Sequence, residues 1–330
     1  MKLFKSATYD QFHCIASACP DSCCHEWSVS VDPDAAAFYR SLPGPLGDRL
    51  RQVLAEEDGD TVMTIENGRC PMWRDDGLCR IQAELGHDAL CKTCREFPRL
   101  THDYGDFQQW QLELSCPEAA RLILNSPPLP ATESRIPGET APEYDEEVMA
   151  ILLPAPEQAR QLLSRDLPLG ERLALLLMYG YHVQAQIDGG EEAPFDPEAA
   201  LEEARTFAKS GDAGDVLDFF KDLEILTDRW QARLDTPLNG PWDPRCSALA
   251  WYFAERYWLQ AVSDYDLVSR VKLTVISCLT VKLLGGDFEE TAQLYAKEIE
   301  NDPDNIDALL DAAYTASAFT DEQLLGLLLG

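Results

Sequence analysis

The sequence has no long apolar run and little basic charge. Its 330 residues contain no apolar stretch of the roughly 20 residues that a membrane-spanning helix needs. No apolar segment follows Met1, as a secretory signal would require, so we expect a cytoplasmic protein without a membrane partner. Lys and Arg total 27 against 58 Asp and Glu, a formal net charge of −31. Because such a surface repels phosphate, we predict no nucleic-acid partner.

Several cofactor motifs are also missing. There is no G-x-G-x-x-G after a strand pattern and no G-x4-G-K followed by Ser or Thr, so the sequence predicts neither a dinucleotide-binding fold nor a P-loop. The spacing C-x3-C-x2-C, typical of radical S-adenosylmethionine enzymes, is absent because Cys24 directly follows Cys23. These absences exclude the commonest routes by which a sequence reveals a nucleotide site.

Cysteine, by contrast, is abundant near the N-terminus. The chain has 11 cysteines, of which nine lie in the first 116 residues. Crowded thiolates repel one another unless a cation or an iron–sulfur core neutralises them, and a reducing cytosol disfavours disulfides. The sequence therefore predicts a bound metal centre, with disulfides as the alternative. The nine residues are Cys14, Cys19, Cys23, Cys24, Cys70, Cys79, Cys91, Cys94 and Cys116.

The spacing of these cysteines favours an iron–sulfur cluster, with zinc left open. Zinc takes four tetrahedral ligands, commonly as two close pairs, and Cys91-x-x-Cys94 is such a pair. Residues 14–24, however, place four sulfurs on one loop, which a centre with several irons accommodates more readily. Cys246 and Cys278 stand apart, and we interpret both as small buried apolar residues.

Basic residues and histidines flank the cysteines. Nearby cations would stabilise an anionic cluster, although pairing with surface acids is an equally ordinary role. A flanking histidine could be a ligand or a proton shuttle, but a surface position is the simpler interpretation. The basic residues are Arg69, Arg80, Lys92, Arg95 and Arg99, and the histidines are His13, His25, His87 and His102.

Composition divides the chain into three parts and predicts a mainly α fold. Residues 1–124 form a cysteine-rich, metal-binding section of short irregular elements, with helices over 34–56 and from Pro117. Residues 125–142 contain repeated prolines and predict a linker, since no regular helix can cross them. Residues 143–330 carry apolar residues at spacings of three and four, typical of an acidic, irregular multi-helix domain.

Four motifs resemble, in order, those of the flagellin lysine-N-methylase family. More distantly, they are similar to the wider group of zinc- or iron-chelating cysteine-cluster proteins. The resemblance covers residues 4–124 and extends weakly to 256–279. The motifs are Phe12-x-Cys14-Ile-Ala-x-x-Cys19-Pro-Asp-Ser-Cys23-Cys24-His25-x-Trp27, Cys79-Arg80-Ile81-Gln82-x-Glu84-Leu85-Gly86, Cys94-Arg95-Glu96-Phe97-Pro98-Arg99 and Leu114-Ser115-Cys116-Pro117-Glu118.

The resemblance implies an enzyme that transfers a methyl group from S-adenosylmethionine to lysine side chains of flagellin and holds a 4Fe-4S cluster. Cysteines at the family's motif positions would be the metal ligands, which leaves Cys91 as a spare. A non-catalytic zinc- or iron-binding adaptor is the alternative function. The expected ligands are Cys14, Cys19, Cys23, Cys24, Cys70, Cys79, Cys94 and Cys116.

Methyl transfer to lysine also requires a proton acceptor. A free lysine has a pKa near 10.4, so burial or a nearby carboxylate must remove its proton. Glu26, Glu84, Glu96 and Glu113 are candidates because they lie close to the cysteines in sequence, although surface charge explains each of them more simply. The acidic surface would attract a lysine-bearing protein.

Overall fold

A computed structural model describes residues 1–25, 27–57, 59–138, 141–191 and 193–330. Glu26, one of the candidate proton acceptors, lies outside the described residues. Within these ranges the fold is mainly α-helical, as the sequence predicts, and the strands lie in the first 135 residues. No described helix combines the length and apolar composition needed to cross a bilayer.

The elements alternate between short strands and helices at first and are then helical to the end. The strands are β1 (Lys2–Lys5), β2 (Val29–Ser30), β3 (Leu54–Glu57), β4 (Asp60–Met63), β5 (Arg99–Asp103), β6 (Phe107–Leu112) and β7 (Thr132–Arg135). The helices of the first section are α1 (Pro33–Ser41), α2 (Gly44–Val53), α3 (Arg80–Leu85), α4 (Lys92–Glu96) and α5 (Pro117–Leu124). Those of the second are α6 (Glu146–Leu152), α7 (Ala155–Leu163), α8 (Leu169–Ile187), α9 (Pro197–Phe207), α10 (Ala213–Lys221), α11 (Asp228–Asp235), α12 (Cys246–Tyr257), α13 (Val268–Leu284), α14 (Phe288–Ile299), α15 (Pro303–Thr315) and α16 (Asp321–Leu329).

The single helix predicted over residues 34–56 is wrong, because two helices and a strand occupy that range. Asp32 caps α1, accepting a hydrogen bond from the Ala35 backbone N–H at 3.1 Å. Pro43 and Pro45 then interrupt the helical pattern, since neither has the N–H that a continuing helix donates. After α2 the chain becomes β3, which pairs antiparallel with β4.

Two small sheets organise the first section. The larger has the strand order β5-β6-β1-β7, in which β1 runs parallel to β6 and antiparallel to β7. Strand β7 lies inside the proline-rich residues 125–142, so this predicted linker is hydrogen-bonded along Lys2–Lys5. The smaller sheet has the order β2-β4-β3. The proline-rich segment thus completes a sheet as well as connecting two sections.

The largest hydrophobic core belongs to the helices but does not stop at residue 143. Helix α13 is buried at nearly every position, and its side chains pack with those of α8 and α12. The same core takes in Phe107, Leu114 and Leu124 from the first section. Strand β6 and helix α5 are therefore anchored to the helical section by apolar packing.

Cys246 and Cys278 lie within this core, on α12 and α13. Both are fully buried, in agreement with their interpretation as small core residues. They are not isolated, however, because their thiols form a hydrogen bond with each other. Burial, followed by this contact, raises the pKa of the Cys278 thiol, so that thiol stays protonated, and both side chains add to the packing of the two helices.

Candidate metal centre

The first cysteine loop, residues 12–25, is irregular backbone with one short 3-10 turn. Ala16 adopts a positive φ of 51°, and the Cys14 sulfur accepts a hydrogen bond from its N–H at 3.4 Å. Farther along, the Ser22 hydroxyl oxygen accepts the Cys24 N–H at 3.1 Å. These local hydrogen bonds keep the loop tight.

Cys24 meets Cys70 although 45 residues of chain separate them. The Cys70 N–H donates to the Cys24 carbonyl oxygen at 2.7 Å, and their thiols form a hydrogen bond. Cys23 joins this pair through a hydrogen bond between its thiol and that of Cys24. The Cys70 thiol also donates to the Met63 sulfur at 3.3 Å. Three predicted ligands from two distant segments therefore share one place in the fold.

A second pair, Cys91 and Cys94, lies beside them. Their thiols form a hydrogen bond, and Cys91 is buried in the same small core as Cys70. Cys79 packs against that core, where the charges of the neighbouring thiolates act on it. We name this set the six-cysteine group, consisting of Cys23, Cys24, Cys70, Cys79, Cys91 and Cys94.

The structure thus places Cys91 differently from the sequence interpretation. The family motif sets Cys91 aside as a spare, whereas the fold places its thiol against that of Cys94, a predicted ligand. The C-x-x-C spacing was the local signal, since it brings two cysteines to adjacent turns at the start of α4. Cys91 belongs with the other candidates on geometric grounds.

The remaining predicted ligands form a three-cysteine group, Cys14, Cys19 and Cys116. Electrostatic interactions of Cys19 reach Cys14 on one side and Cys23 on the other. Cys116 precedes α5 and is buried with Phe12, and it interacts electrostatically with Cys19. Through Cys23, the two groups are neighbours.

The pKa shifts in these groups follow from contacts between thiols and from burial. A hydrogen bond with Cys94 lowers the pKa of Cys91 to about 7, and the same contact raises that of Cys94. Burial raises the pKa of Cys116 to about 12. Metals bind the thiolate form, so a bound cation would reverse the upward shifts and release protons.

The chemistry of the donor set fits a thiolate-bound metal. Every described cysteine is a free thiol. Sulfur-rich sets of this kind are what zinc and iron–sulfur clusters take. Among the described residues, however, no three Cys, His, Asp or Glu side chains stand in an arrangement that would hold a metal ion.

The flanking histidines differ in their exposure and in their surroundings. His13 and His87 are exposed, whereas His25 packs edge-on against Trp73 at 4.9 Å between ring centres. Burial, together with the smaller effect of the positive charge of Arg256, lowers the pKa of His102 to about 4. His102 is therefore neutral at physiological pH.

Most flanking basic residues contact aromatic rings or surface acids. The guanidinium of Arg69 lies 4.4 Å from the centre of the Trp73 ring, and that of Arg99 lies 5.1 Å from the centre of Phe12. Arg80 pairs with Glu84 at 2.7 Å on the surface of α3. Glu84 is exposed and paired with a cation, so it lacks the buried setting that a proton acceptor needs.

Among the described candidate acceptors, Glu113 has the most enclosed position. Glu96 is exposed, but Glu113 is half-buried at the junction of the two sections. Burial raises its pKa, while Arg256 and a hydrogen bond from the Ser115 hydroxyl at 3.2 Å act in the opposite direction.

Arg256 is the centre of a buried polar network at this junction. Its Nε lies 3.3 Å from Glu300 Oε1, with side chains 10% and 2% exposed. Tyr252 and Tyr257 donate their hydroxyls to Glu300 at 3.0 and 2.9 Å. The Leu114 N–H donates to the Tyr252 hydroxyl oxygen at 3.2 Å, which connects the network to the first section. Sequence reasoning missed it; the only signal was the weak family resemblance near Arg256.

A second buried ion pair anchors the first cysteine loop to α14. Lys297 Nζ lies 3.1 Å from Asp21 Oδ2, with side chains 1% and 10% exposed, and 5.0 Å from the centre of the Trp27 ring. Gln293 donates to the Ser115 carbonyl oxygen at 2.7 Å and to Asp21 at 3.3 Å. Burial alone would raise the pKa of Asp21, but the Lys297 ammonium holds that pKa below its usual range.

Part of the chain is similar to curated proteins of Salmonella. Over 123 residues it is 34% identical to flagellar biosynthetic protein FliU of Salmonella muenchen, covering 35% of this chain and 73% of that protein. Over 124 residues it is 34% identical to a lysine-N-methylase of Salmonella typhimurium, covering 36% and 31%. A lysine-N-methylase of Salmonella choleraesuis is 34% identical over 123 residues, covering 35% and 31%.

The chain thus spans about three-quarters of FliU (73%) but about a third (31%) of each lysine-N-methylase. No protein-family model matches the chain, and no solved structure is significantly similar. The matched length is close to that of the section whose ordered cysteine motifs predicted the resemblance. Identity and coverage together confirm it: this chain belongs to the flagellin lysine-N-methylase family.

Proposed function

We propose that this protein transfers methyl groups to lysine side chains of a protein partner. The partner would be flagellin, the donor S-adenosylmethionine and the compartment the cytoplasm. The observation that carries the proposal is the similarity to proteins named lysine-N-methylase and FliU. The chemistry asks little of the fold beyond a positioned amine, a proton acceptor and a line of attack opposite the leaving sulfur.

We further propose that the cysteine groups hold a metal centre, a 4Fe-4S cluster in preference to zinc. The ligands would come from the eight motif cysteines and from Cys91, whose thiol contacts Cys94. A bound centre would neutralise the crowded thiolates and order the loops that carry them. Because Asp21 joins the first of these loops to α14, that order would extend to the helical section.

The junction between the sections is where this chain collects its buried polar groups. Arg256 and Glu300 lie between the cysteine section and the helices, with Glu113 nearby. A junction lined by both sections would let a metal-ordered loop influence a reaction site on the helices. This arrangement supports placing the methyl acceptor at the junction, not at the acidic outer surface.

A metal-binding adaptor is the competing function. Its support is the charge of the chain, −31, which suits docking to a basic partner without chemistry. The two functions differ in one measurable outcome, the movement of a methyl group.

Anaerobic purification followed by two assays separates them. Iron, sulfide and zinc analysis with an absorption spectrum identifies the centre, and tritium-labelled methyl transfer from S-adenosylmethionine to purified flagellin tests the activity. We expect label in flagellin, lost in the variant Cys23→Ser/Cys24→Ser and retained in Cys278→Ala, which removes a buried thiol outside both groups. Absence of label with every metal form would exclude the methylase, and stoichiometric zinc without iron would exclude the cluster.

A further inference from the structure

A cleft opens at the junction, between β1, β6 and α12. It encloses about 420 Å³ of empty space when its open mouth is included. Apolar side chains form much of its wall, which suits a slender hydrocarbon chain better than a nucleoside. The lining includes Leu112, Ile123, Leu129, Trp251, Ser6, Gln111 and Glu255.

Three residues that line this cleft each have a side-chain oxygen atom with no hydrogen-bond partner among the described residues. The atoms are Ser6 Oγ, Gln111 Oε1 and Glu255 Oε1, and each is buried as an atom. Gln111 is only 4% exposed. Unpartnered buried polar atoms are uncommon in folded proteins and point to a ligand or an ordered water.

The orientation of the Gln111 amide is determined by its surroundings. Its Nε2 donates to the Glu255 carbonyl oxygen at 2.9 Å. Turning the amide over would place Oε1 against that carbonyl, with two acceptors facing each other, so Oε1 remains an acceptor. The cleft therefore presents the Gln111 Oε1 acceptor and the Glu255 carboxyl group beside the Ser6 hydroxyl.

Glu255 also has no cationic partner in the described part of the chain. The adjacent Arg256 pairs with Glu300 and not with Glu255. Burial raises the pKa of Glu255 to about 8, and no described basic side chain brings it down again. A ligand that is both positive and rich in N–H donors would stabilise the ionised form of Glu255 and would also supply the missing hydrogen bonds.

An ammonium group has those properties. It carries three N–H donors, no acceptor and one positive charge. A calcium ion takes six to eight oxygen ligands, several of them usually carboxylates, whereas this cleft offers one carboxyl group. A water molecule brings two donors but no charge. A lysine side chain adds a methylene stem that matches the apolar wall.

We propose that this cleft binds the ammonium group of a lysine side chain, with the Glu255 carboxylate as its counter-ion and Ser6 and Gln111 as neutral acceptors. That this lysine is the methyl acceptor rests on the proposed function. Glu255 then takes one proton from the ammonium and leaves a neutral amine. The amine lone pair attacks the methyl carbon of a sulfonium donor, the carbon–sulfur bond breaks, and its electrons stay on sulfur as a thioether.

Binding is tested with the full-length protein and a small lysine probe, Nα-acetyl-lysine methylamide. Its uncharged counterpart, Nα-acetyl-norleucine methylamide, controls for the apolar stem. Titration calorimetry should show the lysine probe binding and the norleucine probe failing to bind. Glu255→Gln should weaken binding at least tenfold, and Ser6→Ala should weaken it less. Glu118→Gln is the matched control, because the Glu118 carboxylate pairs with Arg121 away from the cleft.

Two results overturn the proposal: equal affinity in wild type and Glu255→Gln, or a structure with the probe present in which only water contacts Glu255. Folding of each variant is checked by circular dichroism, and Ser6→Ala gives an independent reading should Glu255→Gln unfold. Methyl transfer is measured separately. If Glu255→Gln transfers label at the wild-type rate, the cleft is not the site of the methyl acceptor, although the protein is still a methylase. If lysine binding depends on Glu255 but no label is transferred, the cleft binds lysine and the proposed methylase activity is wrong.

Discussion

Helix α13 and the loop at residues 12–25 differ in burial and in regular structure. Nearly every residue of α13 is buried, including polar ones such as Ser277, whose hydroxyl is hydrogen-bonded to Tyr295. The loop has no long helix, and Cys14 and Cys23 are exposed. The helix is enclosed by apolar packing, whereas the loop is held by polar contacts such as that between Asp21 and Lys297.

Buried charge follows the same division. In the helical section Lys272 donates to two carbonyl oxygens, those of Ala313 and Phe319, and pairs with Asp321. In the cysteine section the crowded groups are thiols that contact one another in pairs. Lys272 is thus satisfied by groups of the helical section itself, whereas the cysteines need a cation to favour their thiolate forms.

The largest effect should come from breaking the junction between the two sections. Arg256→Met leaves Glu300 buried without its cation, which we expect to lower the free energy of unfolding by about 3–5 kcal/mol. Urea denaturation measures the loss. The double variant Arg256→Met/Glu300→Gln should recover part of it, and Arg205→Met, on an exposed surface, should change nothing measurable. Wild-type stability in Arg256→Met would show that the two sections do not depend on this pair.

Stability should also fall as pH rises, because of Glu255. The folded-state pKa of about 8 lies above the ordinary value of 4.5, so the folded protein holds this proton more tightly than the unfolded chain. Its contribution is complete below pH 4.5 and disappears as pH rises through 8, on the order of 2–4 kcal/mol. Glu255→Gln should flatten the profile of unfolding free energy against pH. An unchanged profile in that variant would remove Glu255 as the cause.

A smaller effect is expected where the cysteine loop meets α14. Asp21→Asn removes the carboxylate that faces buried Lys297 and should cost about 1–3 kcal/mol. Since the pKa of Asp21 is lowered in the folded state, this stabilisation is present above pH 3.8 and is lost as pH falls further. Hydrogen exchange should quicken around residues 19–25 and stay unchanged in α8. Equal quickening in both would mean that the loop and the helices unfold as one unit.

The smallest change in stability, but the sharpest test of the cysteine groups, is Cys91→Ser. If Cys91 belongs to the centre through its contact with Cys94, metal affinity should fall about 10–100-fold with little effect on unfolding. Competition with a chelator measures it. Cys246→Ser serves as the control, since it alters a buried thiol in the helical core. Wild-type affinity in Cys91→Ser would restore Cys91 to the status of a spare.

Local signals predicted much of the fold. Helix α5 begins at Pro117 as expected, because a proline at the first helical position sacrifices no hydrogen bond. The break near Pro43 and strand β7 were missed. Strand β7 consists of four exposed residues, so its own pattern carries no strand signal, and only pairing with residues 2–5 makes it one.

The candidate site shows the same limit. Pairs close in sequence, such as Cys91 and Cys94, could be recognised by spacing. The contact between Cys24 and Cys70 could not, because it depends on the fold of the 45 residues between them. Glu255 has no motif at all; it stands out because it lines a cleft and because one of its buried oxygen atoms has no hydrogen-bond partner in the described part of the chain.

By itself, the sequence determined the helical class, the cysteine content and the family, because periodicity, composition and ordered motifs are properties of the chain. Only the tertiary structure decided which thiols meet, that Arg256 and Glu300 are buried together, and that Glu255 faces a cleft. Those facts depend on burial and on pairing between distant segments. The energy of a charge or a thiolate is set by its neighbours in space, not by its neighbours in sequence.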